Sequence, residues 1–160
     1  MQAEPTREHR WLQKLVGNWT YEHRASMGPD KPLETFRGTE TVRPIGDLWI
    51  VCDGSGAMPD GDTATMVLTL GFDPQKRRFV GTWIGSMMTH LWHYEGSLDA
   101  SGNVLVLESE GPSFSPEGGT ARYRDSIDLR SDEHRLFSSS VLGPDGAWTT
   151  FMNAEYRRAK

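Results

Sequence analysis

Two periodicities divide the chain. Near its start, Trp11, Leu12, Leu15 and Val16 recur at helical spacing and predict a helix over Arg7–Val16. Thr6, after Pro5, reads as its N-cap, and Gly17 ends it. From Gly17 onward the apolar period drops to two. Strands are predicted over Gly17–Ala25, Thr35–Arg43, Leu48–Gly54, Thr63–Phe72, Arg78–Ile84, Thr89–Leu98, Val104–Gly111, Thr120–Leu129, His134–Leu142 and Trp148–Arg157.

Turn formers punctuate these runs: Pro59-Asp60-Gly61, Asp73-Pro74, Asp99-Ala100-Ser101-Gly102 and Gly143-Pro144-Asp145-Gly146 are each short enough for a hairpin. Consecutive hairpins make an antiparallel meander. An open sheet of about ten such strands exposes two long edges, and closing it on itself removes them. The expected fold is therefore all-β: a single closed antiparallel β-barrel of about ten strands (about 17–158), with a short N-terminal helix (about 7–16) closing one end. One domain accounts for all 160 residues.

Composition narrows the partners. With 36% hydrophobic and 24% charged residues and six tryptophans, the chain has the make-up of a soluble globule. Its longest strongly apolar run, Leu48–Cys52, is too short to cross a bilayer, so no membrane span is expected. The opening MQAEPTREHR has no apolar core followed by a small-residue cleavage site, and a cytoplasmic location is expected. A net charge of −5 with interspersed signs offers no basic stripe for phosphates, so nucleic acid is not an expected partner. The single cysteine, Cys52, lies among Leu48, Ile50 and Val51 and reads as a core thiol.

Alternation also selects candidate interior residues. Tyr123, Asp125, Ile127 and Leu129 share one face of their strand, against Arg122, Arg124 and Ser126 on the other, so Asp125 is expected inside. A carboxylate there needs a cation, several donors or a proton. In Thr89–Leu98 polar and apolar residues mix on both faces. The row His90, Trp92 and Tyr94 is taken as inward for the area its aromatics bury, which leaves His93 outside. Trp83 and Met152 complete the candidate lining, and Ser86-Met87-Met88 adds adaptable thioethers. His90 and His93, three apart, fall on opposite faces of a strand, and His9, His23 and His134 are scattered, so no metal site is expected. Of Glu108 and Glu110, at least one is expected to face water. No Ser-His-Asp order, Gly-x-Ser-x-Gly elbow or phosphate-binding glycine loop appears.

The helix followed by Gly17-Asn18-Trp19 resembles the lipocalin-like (calycin) signature. In that family the tryptophan packs across one barrel end beneath an arginine of the last strand, a place that Arg157 and Arg158 fill here. The strings LVGNW (15–19), TLGFDPQKRRFVGTW (69–83), SMMTHLWHYEGSLD (86–99), ESEGPSFS (108–115), YRDSIDL (123–129), DEHR (132–135) and FMNAEYRR (151–158) together resemble a bacterial family of unknown function, number 1579. The chain departs from it at Asp47, where the family has a glycine. The resemblance strengthens the fold and leaves the activity open. Some calycin barrels hold haem through one histidine, but no proximal-ligand motif stands out and no cofactor is expected.

Three classes of function follow. The leading one is a small-molecule-binding barrel for an apolar or aromatic ligand, lined by Asp125, Tyr123, His90, Trp92, Tyr94, Trp83 and Met152. The second is a small barrel enzyme with Asp125 or His90 as acid or base. The third is a structural scaffold with a filled core that pairs with a second copy as a homodimer.

Overall fold

The computed structural model describes residues 2–26, 31–58 and 60–159. One helix, α1 (Arg7–Gln13), precedes ten strands: β1 (Gly17–Ser26), β2 (Leu33–Ile45), β3 (Trp49–Ala57), β4 (Thr63–Asp73), β5 (Arg78–Gly85), β6 (Trp92–Leu98), β7 (Val104–Pro112), β8 (Thr120–Ser131), β9 (His134–Leu142) and β10 (Trp148–Arg158). Each strand pairs antiparallel with the next, and β10 closes on β1 from Trp19↔Arg158 to Ala25↔Met152. The expected closed meander is the fold observed, and no sheet edge is left over. No described helix is long and apolar enough to cross a membrane.

One end is sealed. Helix α1 packs against β3 and β4, burying Leu12 and, just after the helix, Leu15 among Trp19, Val42, Ile50, Leu70, Phe79 and Leu105. His9, on the same helix, accepts the Thr6 N–H at Nδ1 (2.9 Å), and its Nε2–H donates to the Phe72 carbonyl (3.0 Å), tying helix to sheet. The helix stops at Gln13, three residues short of expectation. The next turn tightens to Leu15 N–H···O Leu12 and Val16 N–H···O Gln13 bonds, which frees carbonyls for other partners. Trp19 Nε1 donates to Leu15 O (2.8 Å), while Arg158 donates to Val16 O (2.8 Å) and Lys14 O (3.0 Å).

Arg158 also lies 4.3 Å over the Trp19 ring, so the expected tryptophan–arginine plug is present and its arginine is Arg158. Arg157 is corrected: the strand alternation turns it outward, where it pairs with Glu155. Gly17 is required at this plug. Its φ is +140°, and a Cβ there would come within 2.3 Å of Arg158 Nη1.

Several strands extend past their expected ends. The strand expected to end at Gly54 runs on to Ala57, and Gly56 pairs with Gly38 and with Ala64. The reason lies inside, where the Tyr21 hydroxyl occupies the notch that these two glycines leave. Of the turn expected at Pro59-Asp60-Gly61, Pro59 lies outside the described residues; Met58 N–H donates to Asp62 O across it. Strand β6 is shorter than expected, starting at Trp92 instead of Thr89.

Candidate functional site at the open end of the barrel

The end away from α1 carries a different lining. Register pairing places Trp83 beside Trp92, both on the inner face. The Trp92 ring meets Tyr123 edge-on at 5.0 Å, and Tyr123 donates its hydroxyl to Pro112 O (2.5 Å). Met152 pairs with Ser139, and Ser139 pairs with Asp125, which continues the lining across β8, β9 and β10. The larger of two recesses described, of about 360 Å³, opens at this rim between His90, Glu110, Gly111, Pro112, Gly119 and Thr120. Around the mouth Leu33, Ile84, Met87, Leu91 and Phe114 are exposed.

Asp125 is buried, as the alternation in β8 expects. Its Oδ1 accepts the Ser139 hydroxyl at 2.6 Å and its Oδ2 the Tyr94 hydroxyl. Burial pushes its pKa above the usual aspartate value, and the hydrogen bonds from Ser139 and Tyr94 pull partly the other way. Burial and the neighbouring Asp125 charge push the Tyr94 phenol well up, so Tyr94 stays a donor. Among the described residues no cation pairs with the carboxylate, and two hydroxyls do the holding.

Of the sequence candidates, Asp125, Tyr123, Trp92, Tyr94, Trp83 and Met152 all face the interior; Asp125 and Tyr94 bond to each other and Tyr123 meets Trp92, while Trp83 and Met152 stand on opposite sides of the barrel. His90 is corrected in part. It precedes β6 and so escapes the alternation that would put it inside; it lies half-exposed at the rim, edge-on to Trp92 at 4.7 Å. His93 and Glu95 face outward, as do both Glu108 and Glu110. Cys52 is buried in the core.

A second polar group went unread. Arg135, only 4% exposed, pairs with Glu40 inside the barrel, 4.2 Å over the Tyr156 ring and 4.7 Å over Trp19. The His23 Nε2 lies 2.9 Å from the Tyr156 hydroxyl, with its ring against Tyr21 at 4.3 Å. Burial lowers the His23 pKa to about 4, with the Arg135 charge adding to the effect. The signal was available: Trp19, Tyr21 and His23 alternate in β1, and Phe36, Gly38, Glu40 and Val42 in β2. Among the described residues, no group of three or more His, Cys, Asp or Glu is placed to hold a metal ion.

A closed ten-strand barrel with a helix over one end and a tryptophan–arginine plug is a lipocalin-like, calycin-type barrel. Residues 4–158 match the family described as Protein of unknown function (DUF1579), and the chain belongs to that family. No curated protein matches it by sequence. Among solved structures it is similar to Rv2717c from M. tuberculosis (TM-score 0.69, 12% identity, covering 98% of this chain and 100% of that one). It is also similar to the S-type phycobiliprotein lyase CPES from Guillardia theta (TM-score 0.64, 14% identity, 96% and 93% covered). A third is EF1p2_mFAP2b, solved bound to DFHBI (TM-score 0.51, 14% identity, 94% and 98% covered). At these identities the likeness is one of fold.

Proposed function

We propose that the barrel binds a small, flat, largely apolar molecule at the end away from α1. The observation that carries this reading is that Trp83, Trp92, Tyr123 and Met152 all face the interior, from β5 round to β10, about the buried Asp125, Tyr94 and Ser139. Apolar walls with a few fixed polar groups are what ligand sites of this size use, the walls for affinity and the polar groups for orientation. The recess at the rim, about 360 Å³ and lined by His90, Glu110, Gly111, Pro112, Gly119 and Thr120, lies outside these inner residues and offers a place of first contact. Barrels of similar shape act as a phycobiliprotein lyase or hold DFHBI, so the shape itself is compatible with a planar guest. Asp125 has both oxygens engaged by protein hydroxyls, which favours an orienting role over proton abstraction.

Fluorescence titration with 8-anilinonaphthalene-1-sulfonate tests the reading. The dye is expected to bind one to one in the folded protein and to lose about tenfold in affinity in Trp83→Ala and in Trp92→Ala, because each removes an aromatic contact surface. Trp49→Ala, an exposed tryptophan beyond the sealed end, serves as control and is expected to bind normally. Absence of binding, or binding indifferent to both inner tryptophans, overturns the proposal.

A further inference from the structure

We infer that the ligand reaches this site sideways, through a gap in the barrel wall between β6 and β7, and that Trp92 is the gate. The inference rests on the ligand-binding reading above and adds the route. Strands β6 and β7 pair only from Glu95↔Glu108 to Leu98↔Leu105, four residue pairs and the fewest at any of the ten strand junctions. Yet β7 runs on to Pro112, paired with β8 through Pro112↔Thr120, and β6 begins at Trp92, paired with β5 at Trp83. Ser109–Pro112 therefore has a ladder partner on one side only, and so does Trp92–Tyr94.

Side chains fill the place of the missing ladder. The Trp92 ring lies over Gly111, where a Cβ would come within 2.3 Å of it. Its Nε1 donates to the Met88 sulfur (3.1 Å), a soft acceptor, and the His90 Nε2 stands 3.4 Å from Glu110 O. The rim recess lies over the same seam, lined by His90, Glu110, Gly111 and Pro112. Swinging one indole and one imidazole aside opens a slot without breaking any β6–β7 ladder bond. Behind the indole stand Tyr123, at ring-contact distance, and Tyr94 with Asp125. A flat molecule can pass such a slot edge-on and meet the aromatic wall face-on.

Two measurements test the gap and the route separately. Hydrogen exchange on the wild-type protein is expected to show the amides of Glu110 and His93, which point into the seam, exchanging much faster than those of Ser126 and Ser138, at the centre of the β8–β9 ladder; equal protection overturns the gap whatever the protein binds. For the route, the outward-facing pair His93→Cys and Glu110→Cys is joined by a short bis-methanethiosulfonate linker, and 8-anilinonaphthalene-1-sulfonate binding is followed by stopped flow. Linking is expected to slow association and dissociation together by about tenfold or more, with the affinity nearly unchanged and the rates restored by reductant. Binding at unaltered rates in the linked protein overturns the lateral route and leaves the ligand-binding reading standing. Wild-type protein that fails to bind the dye overturns that reading, and the route with it.

Discussion

Asp125 and His23 are both buried titratable groups, and they bias stability in opposite directions with pH. The folded pKa of His23, about 4, lies below its ordinary value of 6.5, so its stabilising contribution is complete above pH 6.5 and declines as the pH falls toward 4. One proton at about 1.4 kcal/mol per unit makes the loss on the order of 3 kcal/mol over that window. Urea unfolding at intervals between these limits is expected to show His23→Gln with a flatter profile than the wild type. Asp125 behaves conversely: its folded pKa is raised above 3.8, so stability is greatest below that pH and is lost as the pH rises through the folded value. Asp125→Asn is therefore expected to gain on the wild type between acid and neutral pH. Asp125→Ala, which strands the Tyr94 and Ser139 hydroxyls, is expected to cost about 1–3 kcal/mol at neutral pH. A denaturation series in which Asp125→Asn loses ground as pH rises contradicts the assignment. Asp125 was legible from sequence because its own strand alternates cleanly. The inward placement of His23 and Glu40 was open to the same reading of β1 and β2, but their pairing with Tyr156 and Arg135 was not, because it forms only when β1, β2, β9 and β10 meet across the interior.

Helix α1 and the plug beneath it depend on one another. The helix gives up its last turn because Trp19 and Arg158 take carbonyls of the segment just after it, and Gly17 clears the space. Trp19, 1% exposed, is accordingly expected to cost about 3–5 kcal/mol when replaced by Ala. Arg158→Ala is expected to destabilise measurably, while Arg157→Ala, on the outer face, stays within about 0.5 kcal/mol. Chemical denaturation of the three variants checks the order, and equal effects from both arginines contradict it. The helix was visible from its apolar spacing, but its end was not, since that end is set by a residue 142 positions away in sequence. Strand β6 illustrates the same limit. Thr89–Leu91 continues the alternating composition, and only the loss of pairing with β5 and β7 shows that the strand has not yet begun.

The barrel as a whole was legible because closure follows from a simple constraint: ten strands in hairpin order have edges that must be hidden, and joining the first strand to the last hides them. What the barrel contains is less constrained. The sealed end is filled largely by apolar side chains, and the opposite end carries tryptophans, methionines and small residues around a buried carboxylate, an asymmetry that on the proposed reading leaves one end for stability and one for a guest. Native mass spectrometry of the protein isolated from the organism that encodes it, under gentle ionisation, tests that division of labour most directly. The account expects a one-to-one adduct of a small molecule, diminished in Trp92→Ala and Trp83→Ala and retained in Trp49→Ala. A bare polypeptide mass in every preparation, or an adduct indifferent to the inner tryptophans, contradicts it.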